Sequence, residues 1–113
     1  LNKAGINRYA SLSLPMDETL TSCSLDISGR PWLEWKVILP NEKIGDIDAE
    51  IFQEFFRAFA QSAKMTIHIE NNYGTNAHHV IESCFKVLAI CLKNSLTILH
   101  NNMNIIPSTK GVI

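Results

Sequence analysis

Residues 48–70 read DAEIFQEFFRAFAQSAKMTIHIE, and two hydrophobic periods meet in them. Phe52, Phe55, Phe56, Phe59 and Ala63 recur at spacings of three and four, the period of one helix face. Four of the chain's five phenylalanines fall in this run, which predicts a helix with a packed core face. Asp48 suits the N-cap, and Glu50 suits the positive end of the helix dipole. Beyond Lys64 the period drops to two. Residues 65–70 alternate apolar Met65, Ile67 and Ile69 with polar Thr66, His68 and Glu70, which predicts a half-buried strand.

Working outward, residues 8–14 alternate and read as a short strand ended by Pro15. Residues 20–27 place Cys23, Leu25 and Ile27 on one face and Ser22, Ser24 and Asp26 on the other, a second strand. Ser28-Gly29-Arg30-Pro31 is a turn signal. Residues 32–39 follow as a third strand, and the short link suggests that it pairs antiparallel with residues 20–27. Residues 71–75 read as a loop. Asn76 is placed to cap a second helix reaching about Leu99, with Val80, Ile81, Cys84, Phe85, Leu88, Cys91, Leu92 and Leu99 inward. Strands, helix, strand, helix is an α+β order: a two-layer α/β sandwich with both helices on one face of a mostly antiparallel sheet.

The 113 residues make one domain. Ten basic and eleven acidic residues leave a net charge of −1, which gives no electrostatic footprint for nucleic acid or an anionic membrane surface. At 46% hydrophobic and 19% charged, the composition is globular rather than disordered. No apolar run reaches the roughly 18 residues of a membrane span. Leu1-Asn2-Lys3-Ala4 does not read as a signal peptide, and the expected location is the cytoplasm, or the plastid in a plant. A start at Leu1 and a stop at Ile113 read as a processed or excised piece. Cys23, Cys84 and Cys91 are odd in number and unpaired in spacing, so they read as buried small hydrophobes rather than a disulfide framework.

The chemistry concentrates at the start of the second helix. His78 and Glu82 are four apart and His79 and Glu82 three apart, so all three project from the first turn. The helix dipole there favours neutral imidazole, the metal-binding form, and imidazole with carboxylate suits Mn, Fe or Zn. Adjacent histidines diverge by about 100°, so one helix would feed two metal ions more readily than chelate one. Lys86 lies one turn beyond Glu82. Arg8, Arg30 in its Gly-Arg-Pro turn, and the polar tail with Ser108 and Lys110 supply groups suited to a phosphate. Taken singly, each cation reads as a surface charge except Arg30, whose tight Gly-Arg-Pro turn leaves the guanidinium little freedom, and His-His-x-x-Glu alone is a weak signal.

Taken together these residues are more specific. Gly5-Ile6-Asn7-Arg8-Tyr9, Pro15-Met16-Asp17-Glu18, Leu25-Asp26-Ile27-Ser28-Gly29-Arg30-Pro31, Glu54-Phe55-Phe56-Arg57-Ala58-Phe59 and Thr66-Ile67-His68-Ile69 occur in order. Gly74-Thr75-Asn76-Ala77-His78-His79-Val80-Ile81-Glu82-Ser83-Cys84-Phe85-Lys86 is the densest stretch, and Pro107-Ser108-Thr109-Lys110-Gly111-Val112 closes the series. The chain resembles the C-terminal half of the imidazoleglycerol-phosphate dehydratases of histidine biosynthesis.

The resemblance implies a ribosomal protein S5 domain 2-like fold, with residues 1–113 equivalent to the C-terminal of two repeats and the N-terminal repeat absent. It implies dehydration of imidazoleglycerol phosphate to imidazoleacetol phosphate with two Mn²⁺ ions per site. Glu54, His78, His79 and Glu82 would be metal ligands, with Glu54 standing where many family members have His. Glu18, His79 and Glu82 would serve catalysis, Glu18 as a candidate for proton transfer. Arg8, Arg30, Lys86, Ser108 and Lys110 would bind the phosphate, and His68 would orient a ligand or the substrate. His100 matches no family position, and Ala10 replaces a usual Gly. The family assembles 24 subunits with sites between them, so the expected partners are the N-terminal half and further copies, and this chain alone would be inactive. The alternative is a non-catalytic assembly or binding module of the same fold.

Overall fold

The structure is a computed structural model and describes residues 6–40 and 42–97. Its elements are β1 (Tyr9–Met16), β2 (Thr19–Asp26), β3 (Trp32–Lys36), β4 (Lys43–Ile44), β5 (Ile47–Asp48), α1 (Ala49–Ala63), β6 (Thr66–Tyr73) and α2 (Ala77–Leu96). The main sheet has the order β1-β2-β6-β3, and β4 with β5 forms a separate small hairpin. Cys23, Leu25, Ile67 and Ile69 face the helices and are buried, while Ser24, His68 and Glu70 face outward. The two-layer α+β reading holds.

The neighbour of β2 differs from the sequence expectation. β2 pairs with β1 and β6, both antiparallel, and β3 pairs with β6 in parallel. The link after β2 does not close a hairpin. It arches over the start of β6, and three contacts fasten it there. The Ser28 and Thr66 hydroxyls lie 3.1 Å apart, the Thr66 hydroxyl donates to the Arg30 carbonyl at 3.0 Å, and the Trp32 N–H donates to the Met65 carbonyl at 3.1 Å. The cause is β6 itself. Its inward residues Ile67 and Ile69 are fully buried, so it takes the centre of the sheet and separates β2 from β3. α1 then serves as the crossover that a parallel pair requires.

Two smaller corrections concern prolines and caps. β1 does not stop at Pro15 but runs through it to Met16, because β1 is an edge strand and Pro is tolerated there. The chain turns at Asp17-Glu18, with Asp17 at φ 53°. Asp48 occupies the α1 N-cap position but its side chain makes no capping bond, and the Ala49 N–H donates instead to the Glu42 carbonyl at 2.8 Å. The third strand ends at Lys36 rather than residue 39.

Phe56 is the centre of the aromatic core, with ring centroids 4.9 Å from both Trp35 and Phe85 and 5.5 Å from Phe55. Phe55 and Phe85, expected inward, are exposed on the outer side of the helix layer. A helix stripe wider than its sheet contact leaves its flank uncovered. Leu99 lies outside the described residues. No helix among the described residues is long and apolar enough to cross a membrane.

Truncating the buried ring should cost far more than truncating the exposed one. Phe56→Ala should destabilise the fold by about 3–5 kcal/mol, and Phe55→Ala by about 0.5–1.5 kcal/mol. Urea denaturation of the two variants measures the difference.

Candidate functional site

The start of α2 lies against the β1–β2 turn. Asn76 caps α2, its side-chain oxygen accepting from the His79 N–H at 3.1 Å. The Glu18 carboxylate reaches across from the turn. One oxygen accepts from the Thr75 and Asn76 N–H groups at 3.0 and 3.2 Å and from the Thr19 hydroxyl. The other lies 2.5 Å from His79 Nδ1. A carboxylate at a helix N-terminus, on free N–H groups and an imidazole, is an electrostatically favoured arrangement. Gly74 lets the chain pass, since a Cβ there would sit 2.6 Å from Thr19 Oγ1 and 2.9 Å from Val80 Cγ2.

These contacts set the protonation states. The hydrogen bond from His79, then that from Thr19, pulls the Glu18 carboxyl down to about 2. Glu18 in turn holds the His79 imidazole above its ordinary value, with desolvation opposing. With Nδ1 engaged by Glu18, the lone pair of neutral His79 is directed to Nε2, which lies 3.8 Å from Asp17 Oδ2.

His78 belongs to a second group. Its Nε2 lies 3.2 Å from Glu82 Oε1, while Glu82 Oε2 accepts from Lys86 Nζ at 2.8 Å. Lys86, and to a lesser degree His78, holds the Glu82 carboxyl below the usual range. The divergence of adjacent histidines is thus realised: His79 goes with Glu18 and Asp17, His78 with Glu82 and Lys86. Each group offers imidazole nitrogen and carboxylate oxygen without thiolate, a donor set suited to Mn²⁺. Among the described residues no three such side chains converge as a ready-made metal cage.

The remaining candidates lie elsewhere. Glu54 is exposed on α1, two residues past the half-buried Phe52 and so on the opposite side of the helix. His68 faces outward from the middle of β6, on the sheet face away from the helices. Arg8 and Arg30 sit at the far end of the sheet, about 24 Å from the β1–β2 turn by seven strand steps of about 3.4 Å. Arg8 is buried, with Nε donating to Asp26 at 2.7 Å and its guanidinium 4.8 Å above the Tyr9 ring. Arg30 is exposed, and Ser28 holds its backbone: the Arg30 N–H donates to Ser28 Oγ at 3.0 Å. Within one chain the phosphate-binding candidates are therefore not gathered. Ser108, Lys110 and His100 lie outside the described residues. Cys23, Cys84 and Cys91 are free and fully buried, as their reading as core residues required.

Sequence reasoning singled out Glu18 but not its hold on His79, nor Asp17 and Thr19 beside it. A signal existed: two alternating runs separated by two residues mark a hairpin, which puts Asp17 and Glu18 at its tip.

The Glu18–His79 pair predicts a pH profile for the metal-free protein. Glu18 is lowered, so its contribution is present above about pH 4.5 and lost as pH falls toward 2. His79 is raised, so its contribution is present below about pH 6.5 and lost as pH rises through its folded value. The stability difference between wild type and Glu18→Gln should be widest between these limits. In the variant the His79 imidazole should titrate at lower pH, as followed by NMR.

Known proteins share this arrangement of sequence and fold. The profile of the imidazoleglycerol-phosphate dehydratase family matches residues 1–92. The imidazoleglycerol-phosphate dehydratase of Rhodopseudomonas palustris strain BisB5 is 52% identical over 110 residues, 97% of this chain and 56% of that protein. The enzyme of strain TIE-1 is 50% identical over the same shares. The crystal structure of the Staphylococcus aureus enzyme superposes with a TM-score of 0.83 at 43% identity, covering 86% of this chain and 57% of that one. The Pyrococcus furiosus enzyme, in complex with (S)-C348, gives 0.83 at 32% identity, covering 96% and 58%. The chain spans about half the length of the curated relatives it matches. A family profile that matches residues 1–92, with a relative 52% identical over 97% of this chain, makes the chain a member of the imidazoleglycerol-phosphate dehydratase family.

Proposed function

We propose that this chain supplies half of the active site of a dehydratase of histidine biosynthesis, which converts imidazoleglycerol phosphate to imidazoleacetol phosphate. The observation that carries this reading is the start of α2, where one helix turn presents two imidazoles in divergent directions, each with its own carboxylate. His79 would hold one Mn²⁺ through Nε2, with Asp17 close enough to join it. His78 and Glu82 would hold a second. Bound metal would act as a Lewis acid and a template for the imidazole ring of the substrate.

The chain's own residues do the rest. Glu18 keeps the His79 ring fixed and its tautomer defined. With its oxygens occupied by four donors, it suits this holding task better than proton shuttling. Lys86 holds Glu82 ionised. Mn²⁺ prefers roughly six ligands, so two donors per ion leave each site to be completed from outside the described residues. Residues of the N-terminal half, or Glu54 of another copy, would complete them. Arg8 and Arg30, a strand's length away, would serve the phosphate of a site shared with another copy, as in the 24-subunit assembly that the family resemblance implies, along with Ser108 and Lys110.

An apolar surface left exposed among the described residues supports a partner. Ile44, Ile47, Phe52, Ile81 and Phe85 line a groove of about 450 Å³ with His78 and Glu82 at its rim. Ile51 and Phe55 extend it, each half exposed. The N-terminal half is the occupant we propose, seated where its own ligands reach His78. A non-catalytic module of the same fold would have no use for the paired imidazole–carboxylate groups.

Two measurements test this. The protein should bind Mn²⁺ weakly in calorimetry, and the double variant His78→Ala, His79→Ala should not bind it. Turnover should be undetectable for this chain and should appear when the N-terminal half is added. Activity of the chain alone, or a double variant that binds like wild type, overturns the division of ligands.

Arg30 tests the phosphate assignment in the completed enzyme. A charge-assisted hydrogen bond of about 1.5–3 kcal/mol makes Arg30→Ala weaken the phosphate substrate by roughly 10–150-fold. Free imidazole should bind nearly unchanged in a competition assay. Equal weakening of both ligands would make Arg30 a structural residue.

A further inference from the structure

A chain of hydrogen bonds, buried from Thr21 onward, runs behind the candidate site. Asn71 Nδ2 donates to Thr21 Oγ1 at 3.0 Å. The Thr21 and Ser83 hydroxyls lie 2.6 Å apart, and Ser83 Oγ donates to the Val80 carbonyl at 2.6 Å. The donor inventory fixes the direction. Ser83 spends its proton on Val80, so Thr21 donates to Ser83 and accepts from Asn71. Thr21 and Ser83 are wholly buried. The relay thus links β6, β2 and the first turn of α2, and it ends on the carbonyl of the residue next to His79.

Its start is equally specific. The β2–β6 register shifts between Leu20 and Thr21: Thr21 pairs with Asn71, but Leu20 pairs with Tyr73, leaving Asn72 as the extra residue of a bulge. Asn71 Nδ2 also reaches the Leu20 and Tyr73 carbonyls, each at 3.2 Å, and so holds both sides of the bulge. The bulge determines where β6 ends. From there Gly74, Thr75 and Asn76 bring their backbone to Glu18 and begin α2. Bulges beside functional sites re-aim the chain in this way.

We propose that Asn71, Thr21 and Ser83 are positioning residues that hold the first turn of α2 in register with the β1–β2 turn, so that His79 meets Glu18 with Nε2 presented outward. This rests on the reading of His79 as a metal ligand. None of the three touches metal or substrate. They act through the backbone of α2 and the bulge, and the Thr21–Ser83–Val80 part of the relay is stiff because each bond polarises the next and these buried bonds cannot be exchanged for water.

Thr21→Val is the test, because it keeps the buried volume and removes the hydroxyl. The readouts are the NMR resonance of the His79 Nδ1–H that bonds Glu18 and the calorimetric affinity for Mn²⁺ alone. Supporting partners of a metal-binding His alter affinity by about 10–100-fold, and a loss in that range is expected, together with loss or displacement of the resonance. Thr21→Ser, which restores the hydroxyl, should recover both. If Thr21→Val does not fold, Ser83→Ala is read in the same way. A folded variant with lowered stability but wild-type resonance and affinity overturns the proposal, since the relay would then only support the core. If wild-type protein does not bind Mn²⁺ yet the resonance responds as described, the positioning role stands and the metal reading fails.

Discussion

Strand β6 must bury one face and pair along both edges, and the rest of the architecture follows. Ile67 and Ile69 are covered by the helix layer, and β2 and β3 lie on either side. Because β6 enters the sheet after α1, one of its neighbours is parallel and the other antiparallel. The link before β3 must then cross the start of β6, where Ser28 and Thr66 fasten it. At the other end, β6 leaves the sheet beside the β1–β2 turn, and α2 begins there and runs back over the sheet. The central position of one strand thus brings Glu18 and His79 together from residues 61 positions apart in the chain.

Electrostatics then makes a site of that meeting. Free N–H groups at the start of α2 attract a carboxylate, and Glu18 answers them from the hairpin. Its second oxygen fixes the His79 ring. The next histidine, turned away by the helix pitch, finds Glu82 one turn on and Lys86 behind it. Two imidazole–carboxylate groups result from a single helix start, and among the described residues no three ligating side chains converge at either. The chain spans about half the length of its relatives, and among the described residues an apolar helix flank is left exposed.

Polar groups buried behind the site have a different task. A Thr–Ser–Asn relay would be a poor choice for filling a core, because each hydroxyl has to be satisfied. Here each one is, and among the described residues no buried side-chain polar atom lacks a partner. The relay links the strand bulge to the helix turn, the two features whose relative placement determines the distance from Glu18 to His79.

Features that rest on local periodicity and local chemistry can be read from the chain alone. The phenylalanine run from Phe52 to Phe59, the alternation through Ile67 and Ile69, the Asn76 cap and the His78-His79-Glu82 cluster were legible, because each depends on spacings within one element. So was family membership, since its motifs are contiguous. Only the tertiary structure decided what depends on neighbours far along the chain. It put β6 between β2 and β3, let β1 run through Pro15 on an open edge, and left Phe55 and Phe85 uncovered. It parted Arg8 and Arg30 from Lys86, placed His68 on the outer face, and joined Thr21 to Ser83. The reason is physical: a five-residue link fits either a hairpin or an arch, and a helical phenylalanine can face either a sheet or a partner. Only the competition among all the apolar surfaces for burial selects between them.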